Sequence, residues 1–148
     1  MDYSRKNHSK FLLMCHLIFV CKYRKNLLIQ LGNRIKDLII LIASKYEFEI
    51  VEMEVDKNHI HLLISYNPNQ SILEIVRHLK QQSTYYLWKE EEAYLQKEFW
   101  KERTFWSDGY FACSIGNVSK KTIQNYIQSQ GWAYIHDPKG IVVLRPIL

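Results

Sequence analysis

His59-Ile60-His61 is the stretch of this chain best suited to chemistry. It lies within Lys57-Asn58-His59-Ile60-His61-Leu62-Leu63, and the apolar continuation through Ile64 predicts a β-strand. The two-residue period of a strand puts both imidazoles on one face and Ile60 and Leu62 on the other. Two neutral histidines side by side are half of a divalent-metal site that takes a further ligand from elsewhere in the chain. A strand with two hydrogen-bonded histidines on a half-solvated face has the same local sequence, and for an isolated pair it is the commoner case. The surrounding elements decide between the two.

Phe11 to Cys21 reads as a strand apolar on both faces, the pattern of a central position in a sheet. His16 interrupts it, and a buried, hydrogen-bonded histidine is expected there. Lys22-Tyr23-Arg24-Lys25 follows, three cations and an aromatic that suit a phosphate-and-base contact as well as they suit a solvated turn. Leu28, Leu31, Ile35, Leu38, Ile39 and Ile42 recur at helical spacing within Leu27 to Tyr46. Glu47 to Asp56 alternates, but its apolar positions switch from Phe48 and Ile50 to Val51, Met53 and Val55, which predicts a β-bulge near Ile50 and Val51. Glu52, Glu54 and Asp56 then form a solvent-facing acidic stripe. One of these carboxylates can reach the histidine strand across the tight turn at Lys57 and Asn58.

Asn67-Pro68-Asn69 ends the histidine strand. Ser71 and Glu74 make a capping box, and Ile72, Ile75, Val76 and Leu79 form the buried stripe of the helix it starts, with Arg77, Lys80 and Gln81 on an exposed basic face. Tyr85 to Phe105 is charged and aromatic and reads as one or two short helices with a polar side. A turn at Trp106-Ser107-Asp108-Gly109 leads into a strand from Tyr110 to Ile115. Asn117 or Ser119 caps a last helix that Gly131 stops. On it Ile123, Tyr126, Ile127 and Gln130 share one face, so Tyr126 and Gln130 lie one turn apart. Lys120 and Lys121 add cations to a first turn whose dipole is already positive, a placement that makes sense where an anion binds. The tail, 132–148, has a turn at Asp137-Pro138-Lys139-Gly140 and an apolar run from Ile141 to Leu144 suited to pairing with another chain.

The chain of 148 residues is 47% hydrophobic and 14% aromatic, enough for the core of one domain spanning 1–148, its packed part at about 10–131. A net charge of +5 favours an anionic partner such as nucleic acid. Cys15, Cys21 and Cys113 form no Cys-x-x-Cys pair and read as reduced, mostly buried thiols. Met1 to Lys10 lacks the apolar run of a signal peptide, and Phe11 to Cys21 is too short to span a bilayer, so a soluble, cytoplasmic protein with no membrane partner is expected.

Strand, helix, strand, strand, helix, strand, helix is an α+β order: a ferredoxin-like βαββαβ antiparallel sheet with helices on one face and an additional C-terminal helix. Its first and third strands are central neighbours. That puts His59 and His61 mid-sheet on the face the two packing helices leave open, where the last helix would bring Tyr126 and Gln130 over them.

Four blocks in this order resemble the single-tyrosine HUH transposases, small transposases of bacterial insertion sequences that move as single-stranded DNA. They are Cys15-His16-Leu17-Ile18-Phe19-Val20 with Lys22-Tyr23-Arg24, Asn58-His59-Ile60-His61-Leu62-Leu63, Trp106-Ser107-Asp108-Gly109-Tyr110-Phe111, and Tyr126 with Gln130. The resemblance implies that Tyr126 is the nucleophile on the last helix, forming a 5′-phosphotyrosine and a free 3′-hydroxyl. It implies that His59, His61 and Gln130 bind a divalent ion, Mg²⁺ or Mn²⁺. It also implies a homodimer whose active sites are shared between subunits and a hairpin-bearing single-stranded DNA substrate. Tyr23, Arg24, Arg77, Lys80, Lys120 and Lys121 are the expected DNA contacts. No Gly-x-x-x-x-Gly-Lys-Ser/Thr loop exists, consistent with rejoining that needs no ATP.

Three other readings use the same residues. A non-catalytic single-stranded nucleic-acid binder on this fold would carry aromatics on the open faces of the first and third strands. A metal-dependent phosphoesterase would activate water and dispense with Tyr126. A domesticated relative would act on repeated palindromes.

Overall fold

The computed structural model describes residues 13–115 and four short strands at 4–6, 9–11, 133–136 and 142–145. The helix expected after Asn117, with Lys120, Lys121, Tyr126 and Gln130, lies outside the described residues. The chain opens on an antiparallel pair, β1 (Ser4–Lys6) and β2 (Ser9–Phe11). There follow β3 (Leu13–Val20), α1 (Leu28–Lys45), β4 (Glu49–Val55), β5 (His59–Tyr66), α2 (Ile72–Glu90), α3 (Glu92–Glu98) and β6 (Phe111–Ile115). Strands β3 to β6 form one antiparallel sheet in the order β4-β5-β3-β6, the ferredoxin-like arrangement with β3 and β5 at its centre. In the tail, β7 (Ala133–His136) and β8 (Val142–Arg145) pair with each other, so the apolar run expected to seek another chain has a partner strand in its own.

The α1 stripe falls where the periodicity predicts it. Leu28, Leu31, Ile35, Leu38, Ile39 and Ile42 are all buried, each contributing about 1.5–3 kcal/mol by leaving water. Gly32 lets the helix approach β4 closely, because a Cβ there would stand 3.2 Å from Val55 Cγ1. The β4–β5 register shifts between Ile50 and Glu52, which makes Val51 the extra residue of the expected bulge. At α2 the Ser71 Oγ accepts the Glu74 amide at 3.1 Å, as the capping signature requires. The helix then continues past Tyr85 to Glu90, into the stretch expected to hold one or two short helices, because Ser83, Leu87 and Trp88 prolong its buried stripe.

The register sorts the two faces of the sheet. Cys15, Leu17, Phe19, Ile60, Leu62 and Ile64 join the core that all three helices pack against. On the other face lie Met14, His16 and Ile18 of β3 and His59, His61, Leu63 and Ser65 of β5, and every one of these is buried too. Cys15 and Cys21 are buried thiols, whereas Cys113 on the edge strand β6 is exposed. No helix among the described residues is long and apolar enough to cross a membrane.

Candidate functional site

Strand β5 begins at His59 because the chain turns sharply through Asp56-Lys57-Asn58. The Asp56 amide donates to the His59 carbonyl at 3.0 Å, and Asp56 Oδ1 accepts the Lys57 amide at 2.7 Å. Across the sheet, His59 sits opposite Val20 and His61 opposite Ile18. The two-residue period therefore sets both imidazoles on the face away from the helices, as the sequence implies.

The His59 ring is oriented by its neighbour in sequence. Its Nδ1 lies 2.8 Å from Asn58 Oδ1. An amide oxygen can only accept, so the ring donates from Nδ1 and keeps its basic lone pair on Nε2. Asp56 Oδ2 stands 3.9 Å from that nitrogen, so a carboxylate of the acidic stripe does reach the histidine strand. Glu54 pairs with His61 in the β4–β5 register, which places a second acidic residue beside the same face.

His61 makes a different contact. Its Nε2 lies 2.6 Å from Nδ1 of His16, with ring centroids 4.7 Å apart. Burial pushes His16 down to about 4 from the usual 6.5. Burial, with His16 and His59 close by, pushes His61 down to about 3. Both rings are therefore neutral at physiological pH, the form in which imidazole binds a metal.

His59, with its tautomer fixed by Asn58, and the neutral His61 beside it suit a divalent ion as part of its ligand set. Among the described residues no group of three or more His, Cys, Asp or Glu is placed to hold an ion.

The Lys22-Tyr23-Arg24 segment stands at the same end of the sheet as His59, since the Cys21 amide donates to the Asn58 carbonyl at 2.8 Å. It is a 3₁₀ turn in which Tyr23 (φ 57°) and Arg24 (φ 53°) both adopt left-handed backbone. Side chains with a Cβ avoid that region at a cost of about 1 kcal/mol each, so the surroundings must enforce it. Tyr23 is 69% exposed and donates to Glu102 Oε1 at 3.0 Å, and Lys22 pairs with Asp108 at 3.3 Å. Arg77 is exposed on α2, as expected.

Lys80 is not on that exposed face. It is half-buried, and its Nζ donates to the carbonyls of Ser107 (2.8 Å), Gly109 (2.7 Å) and Asp108 (3.4 Å). The misplacement has a simple origin: Lys80 follows Val76 by four residues and precedes Ser83 by three, so it continues the buried stripe. Nothing in the sequence reading paired Asn58 with His59, although its adjacency was a signal. A cleft of about 820 Å³ between α2 and Arg103–Asp108 is lined by no residue of the histidine face.

Known proteins resemble this chain in sequence and in fold. Residues 9–130 match the family of IS200-like transposases. The ISDra2 transposase TnpA of Deinococcus radiodurans is 33% identical over 118 residues, 78% of this chain and 81% of that protein. The IS200 transposase of Salmonella typhimurium is 28% identical over 125 residues, covering 83% and 80%. Among solved structures, a crystal structure of a putative transposase from Deinococcus radiodurans superposes with a TM-score of 0.69 at 26% identity, covering 86% of this chain and 97% of that one. A REP-associated tyrosine transposase bound to a REP hairpin shares the fold at 18% identity, with a TM-score of 0.55 over 86% of this chain and 72% of that one.

Proposed function

The chain belongs to the IS200-like transposases, and from that premise we propose that it cuts and rejoins single-stranded DNA through a 5′-phosphotyrosine on Tyr126. The observation that carries this reading is the pair of imidazoles, His59 and His61, set side by side on the sheet face that α1, α2 and α3 leave free.

In this reading the helix expected after Asn117 lies over that face and brings Tyr126 and Gln130 to the histidines. His59, His61 and Gln130 would hold Mg²⁺ or Mn²⁺, with Asn58 keeping the His59 lone pair on Nε2. Such an ion would supply Lewis acidity to the phosphoryl transfer. Tyr126 is needed as nucleophile because a phosphodiester made to a phenol conserves the energy of the bond broken. Its oxygen attacks phosphorus, the P–O3′ bond breaks, the phenol gives up its proton, and the 3′-oxygen leaves as a hydroxyl. Attack by a 3′-hydroxyl on the phosphotyrosine reverses the steps and releases Tyr126 without ATP. A phenol of pKa ~10 is a weak nucleophile at neutral pH, hence the demand for charge withdrawal at the phosphate.

The substrate in this reading is hairpin-bearing single-stranded DNA at the ends of an insertion sequence, bound by a homodimer with shared active sites. Tyr23, Arg24, Arg77, Lys120 and Lys121 supply contacts to it. The hairpin in the solved structure of a fold relative supports that choice. Against a non-catalytic binder, β3 and β5 present no Phe, Tyr or Trp on this face.

The test is strand transfer. End-labelled hairpin oligonucleotides from the DNA flanking the gene, incubated with protein and Mn²⁺ but no ATP, are expected to yield both a cleaved strand and a longer recombined one. Cleavage to a 5′-phosphate with no recombined strand would point instead to a water nucleophile.

A further inference from the structure

Lys80 is an ammonium with three N–H donors and three carbonyl partners, those of Ser107, Asp108 and Gly109. That saturates it, leaving no donor for a phosphate. It also lies over the rings of Phe19 and Tyr110, at 5.5 and 5.7 Å from their centroids. Three carbonyl dipoles that converge on one point repel one another, and the cation between them holds the turn in that shape.

That turn is continuous with the strand end that carries the Lys22-Tyr23-Arg24 segment. The Ser107 amide donates to the Val20 carbonyl at 2.8 Å and the Lys22 amide to the Phe105 carbonyl at 2.8 Å, with Cys21 bridged to Trp106 between them. Phe105–Ser107 thus extends the sheet alongside Val20–Lys22. Trp106 anchors this extension in α2 through its Nε1, which donates to Ser83 Oγ at 2.9 Å. Val20 is in turn the cross-strand partner of His59.

We propose that Lys80 is a positioning residue: its ammonium fixes the Ser107–Gly109 turn and, through the paired segments, the left-handed Tyr23-Arg24 turn that stands beside His59. The inference rests on the reading above only in its last step, that Tyr23 and Arg24 meet DNA. Removing the ammonium frees three carbonyls, and the extension it clamps loosens. The two left-handed residues then relax towards ordinary backbone, and the side chains at the edge of the site lose their fixed direction.

Two measurements on the full chain test this. Amide hydrogen exchange in Lys80→Met is expected to quicken at least tenfold at Lys22, Arg24 and Ser107, while Leu62 and Ile64 in β5 exchange as in wild type. Lys80→Gln, which keeps two donors and covers the case in which Lys80→Met does not fold, is expected to quicken the same amides to a smaller degree. Unchanged exchange at those three amides, or uniform acceleration across the sheet, overturns the proposal. For the DNA step, affinity for a labelled single-stranded hairpin is compared in Lys80→Met, Arg24→Ala and the double variant. Lys80→Met is expected to weaken binding several-fold in the wild-type background and little further once Arg24 is gone. Additive losses would make Lys80 a contact in its own right and overturn its positioning role. Wild-type protein that binds no hairpin would count against the proposed function and leave the exchange result standing.

Discussion

Nδ1 of His16 lies 2.6 Å from Nε2 of His61, joining two neighbouring strands by a hydrogen bond between imidazoles on the buried face of the sheet. One ring donates and the other accepts, so at least one must be neutral. Burial keeps both neutral, and His61, with His16 and His59 close by, is the harder of the two to protonate.

The first prediction is acid sensitivity. The folded chain takes up these protons only near pH 4 and pH 3, whereas the unfolded chain takes them up near 6.5. Their contribution is therefore unchanged above 6.5, and stability falls as the pH drops below it, by up to about 1.4 kcal/mol per pH unit for each ring. Urea unfolding near neutral pH and near pH 5 measures the loss, and replacing His16 with leucine should make the decline shallower. Equal midpoints at the two pH values would mean that the rings protonate inside the fold.

Asn58→Ala removes the acceptor that fixes the His59 tautomer. Loss of such a partner typically lowers metal affinity about 10- to 100-fold, so calorimetric titration with Mn²⁺ is expected to show a drop of that order with the fold intact. Asn58→Asp, which still accepts from Nδ1, is expected to retain most of the affinity.

Ser71→Ala tests the start of α2. Its hydroxyl accepts the Glu74 amide, and losing such a cap costs about 1 kcal/mol. Thermal unfolding should show that decrease without a change in metal affinity, since the cap follows the Tyr66 end of β5 and His59 opens its other end.

The sheet and its helices were legible in the sequence because their signals are local. The α1 stripe repeats at helical spacing, the phase slip in Glu49–Val55 marks the bulge at Val51, and Ser71 announces α2. The histidine pair was legible for the same reason, one face of one strand. What escaped was tertiary. Nothing adjacent to Lys80 in sequence shows that the carbonyls of Ser107 to Gly109 converge on it from 27 to 29 residues away. The contact of His16 with His61 depends on a register between strands 45 residues apart. The continuation of α2 past Tyr85 was masked by charged residues, with only Leu87 and Trp88 to reveal the buried side.

The phosphotyrosine mechanism stands or falls on Tyr126. Protein is incubated with a single-stranded hairpin substrate and Mn²⁺, and the mixture is run on a denaturing gel. The wild-type protein is expected to give a DNA adduct that survives denaturation, mapped by mass spectrometry to Tyr126, with none formed by Tyr126→Phe or when EDTA replaces the metal. An adduct that persists in Tyr126→Phe, or a substrate cleaved by the wild-type protein with no adduct at all, would contradict the phosphotyrosine mechanism.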